Sequence, residues 1–211
     1  MPPMLLAAPP AVTAVATGDR REAPDLDRAP ELRNGIVLGV SLGAGLSTSS
    51  GYPNDSQQIG DARYHSSSGW LPGTSRTLHV MGALTDYLNF GFWFATASFG
   101  SNNQHATHVG AGLRVETFPL IVLLPSLKGL GLFSQFGLGT GRLTTRTSGV
   151  PDAVGTQSFL GVGAFYEWSL AHVLGGHFGV GPSLEYDAVW SLPFDQHGLL
   201  ASARLVFYGG P

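Results

Sequence analysis

The chain has 211 residues, a formal net charge of -3, 30 glycines and no cysteine. Charged residues make up 12% of the sequence, about half of the roughly 25% found in average soluble proteins. The absence of cysteine excludes disulfides, thiolate metal sites and a cysteine nucleophile. No Lys/Arg-rich stripe is present, which argues against nucleic acid as a partner. The length fits one domain with an N-terminal extension, and no apolar run reaches the roughly 20 residues of a helical membrane span.

The N-terminal segment divides into two parts. Residues 1–16 are apolar and rich in alanine, and Ala14-Val15-Ala16 has the small-x-small form of a signal-peptidase site, so we predict a signal peptide cleaved after Ala16. No basic residue precedes Arg20, which leaves a disordered Ala/Pro tail as the alternative. Residues 17–35 mix arginines, acids and prolines, and they predict a solvated, charged periplasmic linker that does not pack.

In six or seven segments from residue 36 onward, apolar residues occupy every second position. In the first segment Ile36, Leu38, Val40 and Leu42 alternate with Val37, Gly39 and Ser41, which is the period of a strand with two different faces. The small and polar face could not form the core of a soluble sandwich. We therefore predict that the apolar face points outward into lipid and that the other face lines the lumen of a closed barrel.

A long polar stretch, residues 48–73, follows the first strand. It is too long for a hairpin turn and too polar for a membrane, so we expect an external loop. Its aromatic residues Tyr52, Tyr64 and Trp70 are candidates for contact with a ligand or partner. The alternative is that they pack over the mouth of the barrel.

The rest of the chain repeats the alternation. Including the first, strands are predicted at residues 36–47, 75–84, 89–99, 107–117, 129–142, 156–169, 177–190 and 198–208. The apolar segment 118–128 predicts a turn or short helix at the membrane interface, and Pro182 predicts a bulge. The fold class is therefore all-β: an eight-stranded antiparallel up-and-down transmembrane β-barrel over residues 36–208, with a C-terminal tail at 209–211.

Six charged residues within the strands fall on the lumen side of the alternation. They are Arg114, Glu116, Glu167, Glu185, Asp187 and Arg204. Because unpaired charges in a narrow barrel would cost a large desolvation energy, we expect the two arginines to bridge the carboxylates. The network could be a structural plug. The alternative is a narrow pore, since glycine at many inward positions would leave room for water.

Candidates for catalysis or metal binding are weak. His65 adjoins Ser66, Ser67 and Ser68, and Ser169 lies near His172, but neither pair has a third orienting group at a recognisable spacing. We expect no enzyme, cofactor or metal. His65, His105, His108 and His197 fall near the outer end, where solvated loop histidines are favoured over a metal site.

Several aromatic residues lie near strand ends, as in the girdles that flank a membrane. They are Tyr87, Trp93, Tyr166, Trp168, Tyr186, Trp190, Phe207 and Tyr208. The alternative is the ordinary preference of aromatic residues for strands.

Four features of the sequence stand together: the strand alternation, the alternately long and short connections, the aromatic strand ends and the final Leu205-Val206-Phe207-Tyr208. In these features the chain resembles the small eight-stranded outer-membrane barrels of Gram-negative bacteria, the outer-membrane protein A and W group. The resemblance covers residues 36–208 and is architectural, so it assigns no functional residue. It implies outer-membrane lipids as surroundings and a C-terminal signal read by the barrel assembly machinery, although Gly209-Gly210-Pro211 departs from the usual ending.

The function predicted is a non-enzymatic outer-membrane barrel with a structural or anchoring role and a lumen that is plugged or only narrowly open. A monomer is favoured. The alternatives are a binding module that uses the loop 48–73, a narrow porin-like channel, and a soluble lipocalin-like carrier with its apolar residues inside.

Overall fold

Eight long strands account for most of the residues that the computed structural model describes, namely 33, 35–121, 123–146, 151–173 and 175–209. They are β1 (Gly35–Gly51), β2 (Leu71–Thr85), β3 (Leu88–Gly100), β4 (Gln104–Thr117), β5 (Leu130–Thr145), β6 (Ala153–Tyr166), β7 (Gly176–Trp190) and β8 (Phe194–Gly209). Two short strands, Ser66–Ser67 and Trp168–Val173, and two 3-10 turns, Ala62–Tyr64 and Pro125–Leu127, lie in the connections.

The sheet closes on itself. Each long strand pairs antiparallel with the next, and β1 pairs with β8 from Ile36↔Gly209 to Gly51↔Phe194. Closure satisfies the backbone of the first and last strands, which a sheet in lipid requires. The prediction of an eight-stranded antiparallel up-and-down barrel is confirmed. We call the end with the long connections the loop end, and the end that holds Gly35 and Gly209 the turn end.

The apolar face of the alternation lies on the outside. Leu42, Phe92 and Leu138 are 63%, 59% and 67% exposed, whereas their sequence neighbours turn inward. Since the aliphatic groups do not converge on a central cavity, the lipocalin-like alternative is wrong. Among the described residues, no helix is long and apolar enough to cross a membrane.

The strands extend further toward the loop end than the sequence suggested. Thr48 to Gly51 belong to β1 and Leu71 to Gly73 belong to β2, so the predicted loop 48–73 shortens to residues 52–70. Ser49 turns into the lumen while its backbone pairs with β8. Above the apolar band the outward face no longer needs to be apolar. The alternation of apolar and polar residues therefore ends in the sequence, although the hydrogen bonds between the strands continue.

At the turn end the β6–β7 ladder is interrupted at Pro182. Pairing stops at Phe165↔Ser183 and resumes at Trp168↔Val180 in the same register, because proline has no N–H to donate. The predicted bulge at Pro182 is wrong. The shift in register falls between Ser169 and Ala171 instead.

Candidate functional site

A network of ion pairs crosses the lumen in its turn-end half. Both guanidinium N–H groups of Arg204 bond Glu116, at 2.7 Å for the Nη2–Oε2 contact, and its Nε donates to Glu167 at 2.9 Å. Arg114 Nε donates to Glu116 at 2.8 Å, and the Asn89 amide donates to the same carboxylate at 3.3 Å. The side chains of Arg204 and Glu116 are fully buried. These side chains therefore connect β3, β4, β8 and the segment after β6 through one set of charges, which we call the ionic layer.

Each arginine of the ionic layer also stacks on a phenylalanine. The Arg114 guanidinium lies 3.8 Å from the Phe133 ring centroid, and that of Arg204 lies 4.1 Å from the centroid of Phe165. Phe133 and Phe165 pack with Phe118 in one buried cluster. Because a desolvated guanidinium is attracted to the ring face, the phenylalanines support the charges as well as fill space.

Arg33 seals the turn end of the network. Its guanidinium lies 3.4 Å from the ring centroid of Phe118, donates to the carbonyls of Asp86 and Lys128, and reaches Glu167 at 3.8 Å. Arg33 is 7% exposed. The prediction that the segment 17–35 forms a solvated linker is therefore wrong at Arg33, because a buried carboxylate and the free carbonyls of two turns bind it. The rest of the linker up to residue 32, and the signal-peptide segment 1–16, fall outside the described residues.

The two remaining predicted charges lie further up β7. Glu185 accepts a bond from the amide of Gln135, which in turn accepts one from Arg114 at 2.8 Å. Asp187 is also buried, but its Oδ1 has no hydrogen-bond partner within the described part of the chain. The structure thus brings five of the six predicted charges into one chain of contacts and leaves Asp187 beside it.

Residues that complete the ionic layer were missed in the sequence. They are Arg33, Asn89, Gln135 and Tyr208, whose hydroxyl donates to Glu167 at 2.8 Å. For Asn89, Gln135 and Tyr208 the inward parity of the alternation was the available signal. Arg33 precedes the first strand and has no parity to read.

Large side chains fill the space that the inward glycines leave. Trp93 lies over Gly110 and Phe165 lies over Gly131, so that a Cβ added to either glycine would overlap a ring. The glycines therefore admit neighbouring side chains, and the room expected for water is occupied at these positions. Trp93 packs with Phe159 in mid-lumen at a centroid distance of 4.5 Å.

The loop end of the lumen is closed by an apolar cap. Its buried members are Leu71, Ala97, Phe99, Ala106, Leu143, Ala153, Phe194 and Leu200. Between this cap and the ionic layer lie neutral polar groups such as Gln157 and His108, with buried atoms that lack a hydrogen-bond partner among the described residues. Apolar layers thus bound the polar interior at both ends.

The loop 52–70 is folded against the barrel mouth. The Tyr52 ring lies 5.0 Å from that of His65, and Tyr64 is half-buried beside Arg63. Trp70 is 60% exposed. The Arg63 guanidinium bonds the Asp61 carboxylate, which holds the pKa of Asp61 below its usual value. Tyr52 and Tyr64 therefore take part in the loop's own packing, whereas Trp70 is free to contact something else.

The predicted histidines do not converge. His105 bonds Ser98 on the exterior at 3.0 Å, His197 bonds Tyr186 at 2.9 Å, and His108 is buried in the lumen. His65 packs on Tyr52, while the hydroxyl of Ser68 accepts a bond from the backbone of Ser49. Within the ranges described above, no group of three or more potential metal ligands occurs.

Comparisons with known proteins agree with this architecture. No protein-family model and no curated protein matches the sequence. The structure of Ail, the attachment invasion locus protein of Yersinia pestis, matches with a TM-score of 0.50 at 13% identity, over 82% of this chain and 99% of that one. The chain has the fold of the small eight-stranded outer-membrane barrels.

Two further structures are similar at lower scores. The N-terminal β-barrel domain of Pseudomonas aeruginosa OprF matches with a TM-score of 0.41 at 14% identity, over 82% of this chain and 98% of that one. Neisserial surface protein A matches with a TM-score of 0.39 at 16% identity, over 79% and 95%.

Most of the predicted girdle aromatics of this outer-membrane barrel fold face outward. Tyr87 and Trp168 lie exposed at the turn end, and Tyr186 and Trp190 lie exposed toward the loop end. Trp93 and Tyr208 are buried in the lumen, so their assignment to a girdle is wrong. Trp93 has the opposite parity to the outward residues Phe92 and Phe94, and Tyr208 turns inward to bond Glu167.

Proposed function

We propose that the protein is an integral barrel of the Gram-negative outer membrane that anchors its external loops, does not conduct ions and has no enzymatic activity. The observation that carries the proposal is the ionic layer, in which Arg114 and Arg204 share Glu116 and the apolar cap and the phenylalanine cluster lie to either side. A permeating ion would have to displace buried, mutually neutralised charges. We therefore assign the lumen a structural role.

The exterior supports the membrane placement. A continuous band of exposed Leu, Val and Phe side chains surrounds the barrel, and aromatic residues flank it at both ends. In water such an exterior would be an aggregation surface, whereas in lipid it is the required one. Extraction with detergent, followed by a gel on which the folded barrel migrates differently until boiled, tests this placement.

Conductance in planar bilayers tests the closed lumen. We expect no single-channel steps from the wild-type protein, and none from Arg63→Gln, a control that changes the charge of the external loop only. Single-channel steps from the wild-type protein would contradict the proposal and favour the narrow channel if Glu185→Gln lowered their cation selectivity or Arg114→Ala raised their conductance.

A binding role of the loop is the second candidate, and exposed Trp70 favours it. This role would use residues 52–70 rather than 48–73, because the flanking residues belong to strands. Replacing residues 53–65 with a Gly/Ser linker, and separately Trp70→Ala, should abolish adhesion of expressing cells to host or matrix surfaces while the heat-dependent gel shift is kept. Unchanged adhesion in both variants would contradict this role.

We further propose that the chain is monomeric and that the barrel assembly machinery reads its last strand. Leu205 and Phe207 face outward on β8, where the machinery could contact them, although Tyr208 does not. Cleavage after Ala16 would expose the linker in the periplasm.

A further inference from the structure

One arginine on the outer surface of the barrel has no partner among the residues that the structure describes. Arg76 projects outward from β2, level with Leu42 on β1 and Thr96 on β3. Arg142, the other outward strand arginine in the described residues, is paired with Asp152. Arg76 has neither an ion pair nor a hydrogen bond within that same part of the chain. Its charge is therefore free to bind something outside the protein.

Two grooves meet at Arg76, and they differ in chemistry. The groove toward the turn end has a volume of about 520 Å³, and the outward-facing residues that line it are mostly apolar, including Leu78, Phe94, Val109 and Leu138. The groove toward the loop end has a volume of about 340 Å³ and is lined by the hydroxyls of Thr74, Thr96, Ser98 and Thr107. Small Ala111 lies between larger neighbours in the apolar groove and makes room there.

The height of Arg76 matches a membrane boundary. Between Arg76 and Thr85 at the turn end of β2, a strand rising about 3.3 Å per residue and tilted by roughly 40° climbs about 23 Å along the barrel axis. The apolar band of such barrels is about 25 Å tall. Arg76 thus stands where acyl chains give way to headgroups.

We infer that Arg76 and the two grooves form a binding site for a membrane lipid with an anionic phosphate headgroup. An acyl chain would lie in the apolar groove, and the phosphate would accept hydrogen bonds from the guanidinium, as arginine's planar fork favours, and from the threonine hydroxyls. The inference rests on the membrane placement proposed above.

Native mass spectrometry of the folded, detergent-solubilised protein tests the site with dihexanoyl phosphatidic acid and dihexanoyl phosphatidylcholine as probes. We expect phosphatidic acid to bind at least about fivefold more tightly, since one favourable basic contact at a lipid surface is worth about that factor. Arg76→Gln should remove this preference, and Arg63→Gln should keep it. Equal binding of the two lipids, or an unchanged preference in Arg76→Gln, would overturn the inference.

A second variant separates a lipid site from a site for small anions. Ala111→Phe fills the apolar groove without altering Arg76, and it should weaken phosphatidic acid binding severalfold. Inorganic phosphate should displace the lipid poorly at equal concentration. Displacement by phosphate together with no effect of Ala111→Phe would overturn the lipid as occupant. The heat-dependent gel shift, recorded for every variant, reports separately on the barrel and its membrane placement.

Discussion

The two halves of the lumen solve the problem of buried polarity differently. In the turn-end half, Arg114, Arg204, Glu116 and Glu167 are charged and bonded to one another. In the loop-end half, the buried polar groups other than Asp187 are neutral, and several of their atoms are buried without a protein partner among the described residues, as at Gln157. An unpaired buried charge is far more expensive than an unpaired amide. Apart from Asp187, the buried charges of the lumen therefore lie in the half where they can neutralise one another.

Pairing also makes the turn-end half sensitive to single changes. A buried ion pair adds little over a well-packed apolar pair, but removing one partner leaves the other charge uncompensated. The loop-end half depends less on such pairs, because its hydrogen bonds, such as that from the Gln196 amide to the Ser47 hydroxyl at 3.0 Å, join neutral groups. Substitutions in the two halves should consequently differ more in their effects than the burial of the residues alone would suggest.

The largest effect is expected for Arg204→Met. This change leaves Glu116 and Glu167 without their shared partner and should lower the free energy of unfolding by about 3 to 5 kcal/mol. Urea unfolding of the refolded barrel in phospholipid vesicles, followed by tryptophan fluorescence, measures it. Arg142→Met is the matched control: Arg142 is also paired with a carboxylate, that of Asp152, but is largely exposed, so its loss should cost about 1 kcal/mol or less. Equal effects of the two changes would contradict the role assigned to burial.

The lumen position of the strand charges in the ionic layer could be predicted from the sequence, because parity alone assigns a strand residue to one face. Arg114, Glu116, Glu185 and Arg204 each stand one position from an outward apolar residue, so a lumen position follows once the barrel is assumed. The partner of each charge does not follow. Glu185 contacts Gln135 rather than an arginine, because pairing depends on the stagger of the strands around the barrel, which the alternation does not encode.

Arg33 could not be predicted in the same way. Its neighbours in sequence are charged and proline-rich, which is typical of a solvated linker, and no strand pattern covers it. Its partners, Asp86, Lys128 and Glu167, come from three separate turns. Only the closed barrel brings those turns together, so the signal is absent until the fold exists.

A smaller effect is expected for Arg33→Met. The change removes two hydrogen bonds to carbonyls and a longer contact to Glu167, and it should lower the free energy of unfolding by about 1 to 2 kcal/mol. Glu167 would keep Arg204, which is why the loss is smaller than for Arg204→Met. Arg63→Met, at an exposed loop arginine, is the control and should have no measurable effect in the same urea titration. If Arg33→Met lowered the free energy of unfolding no more than Arg63→Met, the structural role assigned to Arg33 would be contradicted and the solvated linker would be the better description.

The loop-end half was poorly predicted because its strands carry no apolar alternation. Ser49 points into the lumen from β1 and Phe194 does so from β8, yet the outward residues Thr48, Ser50 and Asp195 beside them are polar. Beyond the outward apolar band, neither face of a strand has to be apolar, and the period of two disappears from the sequence while the hydrogen-bonded ladder continues.

The smallest effect is expected for Gln157→Leu. Both amide atoms of Gln157 are buried without a protein partner in the described ranges, so replacing the amide with a similar apolar volume should change the free energy of unfolding by no more than about 0.5 kcal/mol, or stabilise the barrel slightly. Gln135→Leu is the matched comparison. Gln135 is equally buried but bridges Arg114 and Glu185, and its loss should cost about 2 kcal/mol or more, because hydrogen bonds to charged groups are the stronger ones. If Gln157→Leu proved as damaging as Gln135→Leu, unseen partners would hold the loop-end half together, and the contrast between the two halves would not stand.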